Sequence, residues 1–359
     1  MKNNFPLIFF FVISHFCFSQ NQEETVNAIV SDVTREFSDV GLVIGIYNEF
    51  GTHYYSYGTR TIGSNQKLDS LSLFEIGSAT KTFTALLLAQ EIANKKIKLH
   101  DFIDQYLPKG VNLPCSLAEK IKMTDLASHQ SGLPNLSNDK YFKRLIKRDP
   151  TNPFRFVDKD YLYEVLDSTD YLQDFRRYQY NNYAFSLLGA LLEEKAQKSY
   201  ISLINELILE PLKMSSTSFE IPQAANVAGL YNQDGQEQVY MIIDAANPAG
   251  GLKSNAVDLI KFLRAHLQND QLAEAVELTQ MTSYEDRNKR IGLGWEIGNN
   301  FFQKDGDTFG NSSFIRYSPK NNTAIVILSN HQNGQLVRDL MNGIYNNIII
   351  PSTEQKSTF

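Results

Sequence analysis

Hydrophobic and polar positions along the chain follow two different periods, and the changes of period locate the elements. Residues 21 to 37 carry apolar side chains at three- and four-residue spacing, which predicts a helix. After it, Gly41-Leu42-Val43-Ile44-Gly45-Ile46-Tyr47 and Thr52-His53-Tyr54-Tyr55-Ser56-Tyr57-Gly58 are joined by Asn48-Glu49-Phe50-Gly51, the pattern of a β-hairpin. A second hairpin is predicted near the other end. There Phe314-Ile315-Arg316-Tyr317 and Thr323-Ala324-Ile325-Val326-Ile327-Leu328-Ser329 flank a Ser-Pro-Lys-Asn-Asn turn, and a helix over about 334–347 follows. The middle, from about Lys81 to Leu230, has a mostly helical pattern with Pro- and Asn-rich loops. Two similar ends around a helical middle predict an α/β (α+β) chain: one antiparallel sheet formed from both chain ends and flanked by helices, with an inserted, mostly helical domain. On this reading residues 20–75 and 245–359 form a discontinuous sheet domain, residues 76–244 form the helical one, and an active site lies at their interface.

The first residues stand apart from this pattern. Lys2 precedes an apolar run over 5–13 that breaks at Ser14-His15, short of the ~20 residues a membrane-spanning helix needs. Cys17-Phe18-Ser19 then places small residues before a cut ahead of Gln20. This predicts a signal peptide over 1–19 and an exported chain, periplasmic or secreted, with no membrane span once the signal is cleaved. Lipid anchoring through Cys17 does not fit, because His15 and Phe16 stand where small residues should precede a lipidated cysteine. Cys115 is then the one cysteine left, so no internal disulfide forms, and a thiolate nucleophile or zinc-thiolate site is not expected. Of the 359 residues 42% are hydrophobic and 21% charged, which suits a globular chain of roughly two domains' length. With 34 basic against 40 acidic residues and a net charge of −6, nothing favours nucleic acid as a partner.

Three polar motifs interrupt the pattern where chemistry could sit. In Ser78-Ala79-Thr80-Lys81 a serine opens a helix and a lysine three residues on lies over the same face, within reach of the hydroxyl proton. The spacing also occurs at Ser64 to Lys67 and Ser137 to Lys140, both in polar surroundings, whereas Ser78 has the apolar approach Phe74-Glu75-Ile76-Gly77 and an apolar helix behind it. Taken alone, Ser78 is as well explained as an N-cap. Tyr180-Asn181-Asn182 is a polar turn entering an apolar helix; a tyrosine beside a lysine can share its proton, and Asn182 could orient a substrate amide. In Lys304-Asp305-Gly306-Asp307 a cation precedes a glycine on a strand, which allows a substrate backbone to approach and offers a main-chain N–H to an oxyanion. Alone, it also reads as a hairpin turn.

In this order the three motifs, Ser-x-x-Lys, Tyr-x-Asn and Lys-x-Gly, resemble those of the serine β-lactamase and penicillin-binding-protein family, its class C β-lactamase-like branch in particular. Leu126-Ala127-Ser128-His129-Gln130-Ser131-Gly132-Leu133-Pro134, Pro248-Ala249-Gly250-Gly251-Leu252 and Gly292-Leu293-Gly294-Trp295 are similar to further family segments, in family order. The resemblance covers nearly all of the mature chain. It implies that Ser78 attacks a carbonyl to form an acyl-enzyme, that Lys81 accepts its proton or tunes its neighbours, and that Tyr180 protonates the leaving group and later helps activate water. Lys304 would lower the Tyr180 pKa and attract anionic substrate, and either Lys81 or Tyr180 is the acylation base. The backbone N–H groups of Ser78 and Asp307 would form the oxyanion hole beside Gly306. The implied partner is a small-molecule or peptide substrate: a D-alanyl peptide, a β-lactam or a small ester. No cofactor is implied. The alternative is a catalytically idle relative of the same fold that binds cell-wall peptide or serves as an interaction module, against which stands the presence of Ser78, Lys81, Tyr180, Asn182 and Lys304 together.

Two residues depart from the family pattern. Asp305 replaces the hydroxyl residue that often contacts a substrate carboxylate, and Asp307 adds a second acid beside it. Their charges oppose a carboxylate unless a cation neutralises them, and Arg338, similar in placement to a carboxylate-contacting arginine of class C enzymes, is the candidate. These departures weigh against efficient cleavage of β-lactams or free-carboxylate peptides and leave room for ester substrates or amine-bearing peptides. His129 is expected to be structural, closing the helix before Ser131, because no Gly-x-Ser-x-Gly turn exists to partner a catalytic histidine. His53, His100, His266 and His331 show no ligand spacing, so no metal is expected.

Overall fold

The computed structural model describes residues 21–350 apart from 38, 112, 137–139, 223–225 and 269–271. The predicted leader over 1–19 with Cys17, and Ser137 of the second Ser-x-x-Lys repeat, lie outside the described residues. Eleven helices are used below: α1 (21–33), α2 (Thr80–Ala93), α3 (Met123–Ala127), α4 (Lys140–Arg148), α5 (Lys159–Asp167), α6 (Asn182–Ala196), α7 (Tyr200–Ile204), α8 (Asn247–Gly250), α9 (Ala256–Ala265), α10 (Ala273–Gln280) and α11 (Gly334–Ile344). The strands are β1 (Leu42–Asn48), β2 (Gly51–Tyr57), β3 (Phe74–Glu75), β4 (Lys253–Ser254), β5 (Tyr284–Glu285), β6 (Arg290–Ile291), β7 (Glu296–Ile297), β8 (Phe302–Asp307), β9 (Ser312–Ser318) and β10 (Thr323–Ser329).

Eight strands form one antiparallel sheet in the order β2-β1-β10-β9-β8-β7-β6-β5. The two predicted hairpins lie side by side at one end of this order, where β1 pairs with β10 from Leu42↔Ser329 to Tyr47↔Ala324. Their alternation assigns the faces. Leu42, Ile44, Ile46, Phe314, Ile325 and Ile327 point to one side and pack with Val26, Val30, Leu336, Val337 and Leu340 of α1 and α11. Val43, Ile315, Tyr317, Val326 and Leu328 point to the other, against Leu259, Phe262 and Leu263 of α9 and the helical part of the chain. Each side chain so buried contributes roughly 1.5–3 kcal/mol, which is what joins the two ends of the sequence.

Helix α2 is buried on nearly every side and packs against α3, α6, α7, α8 and α10, as an all-round apolar helix must. β3 and β4 form a separate two-stranded ribbon at its start. On the outer side of the sheet β7 pairs only with Phe302 and Gln303 of β8, so no strand covers that edge from Lys304 to Asp307. Gly306 and Asp307 lie instead against the turn that leads into α2. Among the described residues no helix is long and apolar enough to cross a membrane.

Candidate active site

Ser78 sits on a 3-10 turn, Gly77–Ala79, between β3 and α2. Gly77 is in the left-handed region (φ +49°), and a Cβ there would meet the Asp307 carbonyl oxygen at 2.6 Å and its nitrogen at 2.9 Å. A Cβ on Gly306 would fall 2.1 Å from the Ile76 carbonyl oxygen and 2.7 Å from the Ser78 nitrogen. Two glycines thus press the end of β8 against the serine turn backbone to backbone, which sets the Ser78 and Asp307 amides side by side. The Ser313 hydroxyl, donating to the Ile76 carbonyl at 2.8 Å, pins the same turn from β9. Ser78 caps neither the turn nor α2, whose N-cap positions carry no side-chain bond; its hydroxyl turns to the tyrosine and lysine instead.

Lys81 is fully buried, and its Nζ donates to Ser78 Oγ (3.0 Å), to Asn182 Oδ1 (2.7 Å) and to the Ala249 carbonyl (2.5 Å). Burial brings its pKa below the ordinary lysine value. The Tyr180 hydroxyl forms a short hydrogen bond with Ser78 Oγ. Burial alone would raise the phenol, but the Lys81 and Lys304 ammonium groups outweigh it and hold the Tyr180 pKa below its usual value. Those two nitrogens lie 4.9 Å and 5.1 Å from the centre of the Tyr180 ring.

The turn carrying Tyr180 is held by residues that the motifs do not single out. Asn135 Nδ2 donates to the Tyr180 carbonyl (2.8 Å), and its Oδ1 accepts the Asn182 N–H (3.0 Å), so one amide clamps both ends of Tyr180-Asn181-Asn182. Asn181 caps α6 by accepting the Ala184 N–H and donates to the Leu133 carbonyl at 2.7 Å. His129 closes α3 in the left-handed region (φ +61°), with the Gln130 N–H on the Asp125 carbonyl and its own N–H on the Leu126 carbonyl. Its ring Nδ1 accepts the Asn181 N–H at 3.0 Å. Burial and the charges of Lys81 and Lys304 keep that imidazole far below its ordinary pKa, so it is neutral and an acceptor. A Pro-Asn pair in a loop just after the Ser128–Pro134 segment was the available signal for Asn135.

On β8, Lys304 Nζ donates to Asp305 Oδ1 (3.1 Å), and Arg338 from α11 donates to Asp305 Oδ2 (3.0 Å). Burial works against both charges, yet the pairing wins: Lys304 is raised, chiefly by the phenol and Asp305, and Asp305 is lowered to about 2, chiefly by Lys304. Asp307 is exposed at the strand end, accepts a short hydrogen bond from the Ser312 hydroxyl, and lies beside the first residue of α11, where a Cβ on Gly334 would meet its Oδ2 at 2.7 Å. Burial of its carboxyl, helped by Asp305, raises its pKa.

A cleft of about 180 Å³ opens beside Ser78, with Asn182 and Asp307 on its polar side and Phe154, Met241, Ile243 and Phe309 on its apolar side. Buried Glu75 accepts the Met241 N–H at 3.0 Å, which fastens that wall to β3. Of the eight residues singled out in the sequence, Ser78, Lys81, Tyr180 and Asn182 form one bonded cluster, Lys304 flanks it, and Gly306 and Asp307 abut the serine turn. Arg338 stands behind Asp305, engaged with that carboxylate.

The class that this fold and a serine so placed define is that of the serine hydrolases. The family model described as Beta-lactamase matches residues 30–343, and the chain belongs to the beta-lactamase family. A beta-lactamase of Yersinia enterocolitica is 24% identical in an alignment of 291 positions that covers 76% of this chain and 68% of that relative. One of Psychrobacter immobilis is 24% identical in a gapped alignment of 362 positions that covers 86% of this chain and 83% of the relative. Among solved structures, a beta-lactamase/D-alanine carboxypeptidase from Pseudomonas syringae has a TM-score of 0.79 at 22% identity, covering 91% of this chain and 99% of its own. A class C beta-lactamase in complex with cefoxitin has a TM-score of 0.80 at 20% identity, covering 92% and 99%. At these identities the likeness is one of fold, the antiparallel sheet flanked by helices that the sequence predicted.

Proposed function

We propose that the chain is an exported hydrolase that forms an acyl-enzyme on Ser78 and acts on D-alanyl peptides, β-lactams or small esters. The observation that carries this reading is the sharing of the part-exposed Ser78 oxygen between the Tyr180 hydroxyl and the buried Lys81 ammonium. Lys81 donates to the Asn182 amide oxygen and the Ala249 carbonyl, which can only accept, and its third contact holds Ser78 Oγ beside the phenol. The two ammonium groups that hold the Tyr180 pKa down favour Tyr180, as phenolate, for the acylation base. Ser78 Oγ bonds to the substrate carbonyl carbon as its proton moves to Tyr180, and the amides of Ser78 and Asp307 hold the oxyanion. Tyr180 then gives the proton to the leaving atom as its bond to that carbon breaks. A water attacks the ester next, its proton passing through Tyr180 to the departing serine oxygen.

Intact mass over time after mixing with a fluorescent penicillin, and separately with a p-nitrophenyl ester, tests this. Wild type should gain the acyl mass or turn the substrate over and Ser78→Ala should do neither; an equal adduct or equal turnover in both would remove Ser78 as nucleophile. A transient penicillin adduct marks a lactamase-like enzyme, a persistent one a penicillin-binding peptidase. The apolar leader supports export, and the N-terminus of the protein recovered outside the cytoplasm is expected at Gln20.

A further inference from the structure

The cluster formed by Lys304, Asp305, Asp307 and Arg338 bears on which substrates the site accepts. If Tyr180 hands its proton to the leaving atom, the leaving group departs on the side of Ser78 where Tyr180 and Lys304 stand. The acyl part then lies on the other side, in the cleft of Phe154, Met241 and Phe309, whose lining includes neither Tyr180, Lys304, Asp305 nor Arg338. The cation beside Tyr180 is Lys304, and Arg338 joins it through Asp305. One carboxylate reaches both: Asp305 Oδ1 accepts from Lys304 at 3.1 Å and Oδ2 from Arg338 at 3.0 Å. Both cations therefore already bond a carboxylate supplied by the chain. A substrate carboxylate arriving here would have to displace Asp305 from both partners while lying beside it, and like charges at such range repel by well over a factor of ten in binding.

We infer that Asp305 is a built-in counter-ion at the leaving-group side of the site, and that the enzyme takes acyl substrates with an uncharged leaving group in preference to those carrying a carboxylate there. The inference rests on the Ser78 acylation reading above and specifies its substrate class: an apolar acyl group on a neutral alcohol or amine. It makes Asp305 a specificity-determining residue, since the matching change to a neutral side chain frees both cations to meet an anion.

The test uses two esters with the same phenylacetyl group, one of m-hydroxybenzoate and one of its methyl ester, which differ in one carboxylate. kcat/KM for each is measured on the full mature protein at one pH, so that any change in Tyr180 titration is common to both. Wild type should prefer the neutral ester at least tenfold, and Asp305→Asn should narrow or reverse that ratio about tenfold, with a new salt sensitivity on the carboxylate ester alone. A wild-type preference for the carboxylate ester, or a ratio that Asp305→Asn leaves unchanged, would overturn the inference while leaving acylation intact. The wild-type ratio is informative whether or not the variant folds. Turnover of neither ester, or equal turnover by wild type and Ser78→Ala, would overturn the hydrolase reading itself and this inference with it.

Discussion

Lys81 and Lys304 lie at nearly equal distance from the centre of one tyrosine ring, and their surroundings differ in one respect. Lys81 is wrapped by uncharged acceptors, a hydroxyl, an amide oxygen and a backbone carbonyl, so burial pulls its pKa down. Lys304 meets the carboxylate of Asp305 and is pushed up instead. A buried cation with neutral partners holds the oxygens around it in place for the proton transfer between them; one locked to a carboxylate is a fixed source of field. The same residue type thus serves two purposes, and the sharpest way to break the comparison is to remove each in turn.

The largest effect is expected at Lys81. Lys81→Ala removes the donor that orients Ser78 Oγ and the charge that stabilises the Tyr180 phenolate, and leaves Asn182 Oδ1 and the Ala249 carbonyl without their donor. Acylation measured by rapid mixing should slow by about 10³-fold or more, with substrate affinity changed far less. An effect confined to binding would take Lys81 out of the proton path. Lys304→Ala should act differently. Without its field the Tyr180 pKa rises, so the limb of the pH–rate profile that reports phenolate formation moves to higher pH. Each pH unit of that movement lowers the rate at neutral pH about tenfold, while the rate on the alkaline plateau changes little. A drop of the same factor at every pH would show that Lys304 acts by contact with substrate and not through Tyr180.

The contrast between the sheet and the site is also one of legibility. Leu42 to Ile46 and Thr323 to Ser329 are short apolar runs bounded by turn residues and are buried on both faces, so pattern alone located these strands. Strands β5, β6 and β7 have two residues each and carry no period, and the β3–β4 ribbon is equally short. Ser78, Lys81, Tyr180 and Lys304 were legible because their spacing carries chemistry. The residues that fix them were not: Asn135 through two bonds and His129 through one act on a turn some fifty positions away, and Glu75 holds Met241 across 166. A polar side chain that satisfies a distant backbone group leaves no local pattern. Arg338 lay between these cases, found as a possible neutralising cation but paired with Asp305 in a way that only the packing of α11 on β8 determines.

Asn135 offers a milder test, because it touches neither Ser78 nor Lys81 but clamps the turn that carries Tyr180. Asn135→Ala leaves the Tyr180 carbonyl and the Asn182 N–H without their partner, a loss of about 1–3 kcal/mol. Part of it should appear in stability and part as a fall of about tenfold in kcat. Asn135→Asp keeps the acceptor for Asn182 and should recover some of the rate; a variant that lost only stability would make Asn135 a scaffold residue with no hold on tyrosine placement.

His266 carries the comparison to a buried base outside the site. Its ring lies among Phe262, Trp295 and Tyr317, with Nδ1 against the Phe262 carbonyl. No carboxylate offsets burial, and its pKa falls to about 4. The sign follows from proton counts. Between about 6.5 and 4 the unfolded chain binds a proton that the folded chain refuses, so the contribution is full above 6.5 and is lost as pH falls toward 4. Between pH 7 and 4.5 the loss amounts to about 2 kcal/mol. Urea midpoints at those two pH values should drop more for wild type than for His266→Phe, which fills the same space without a titrating ring, while activity at pH 7 stays near that of wild type. Equal drops would assign the acid sensitivity elsewhere and leave His266, unlike Lys81, a base whose burial has no consequence in this pH range.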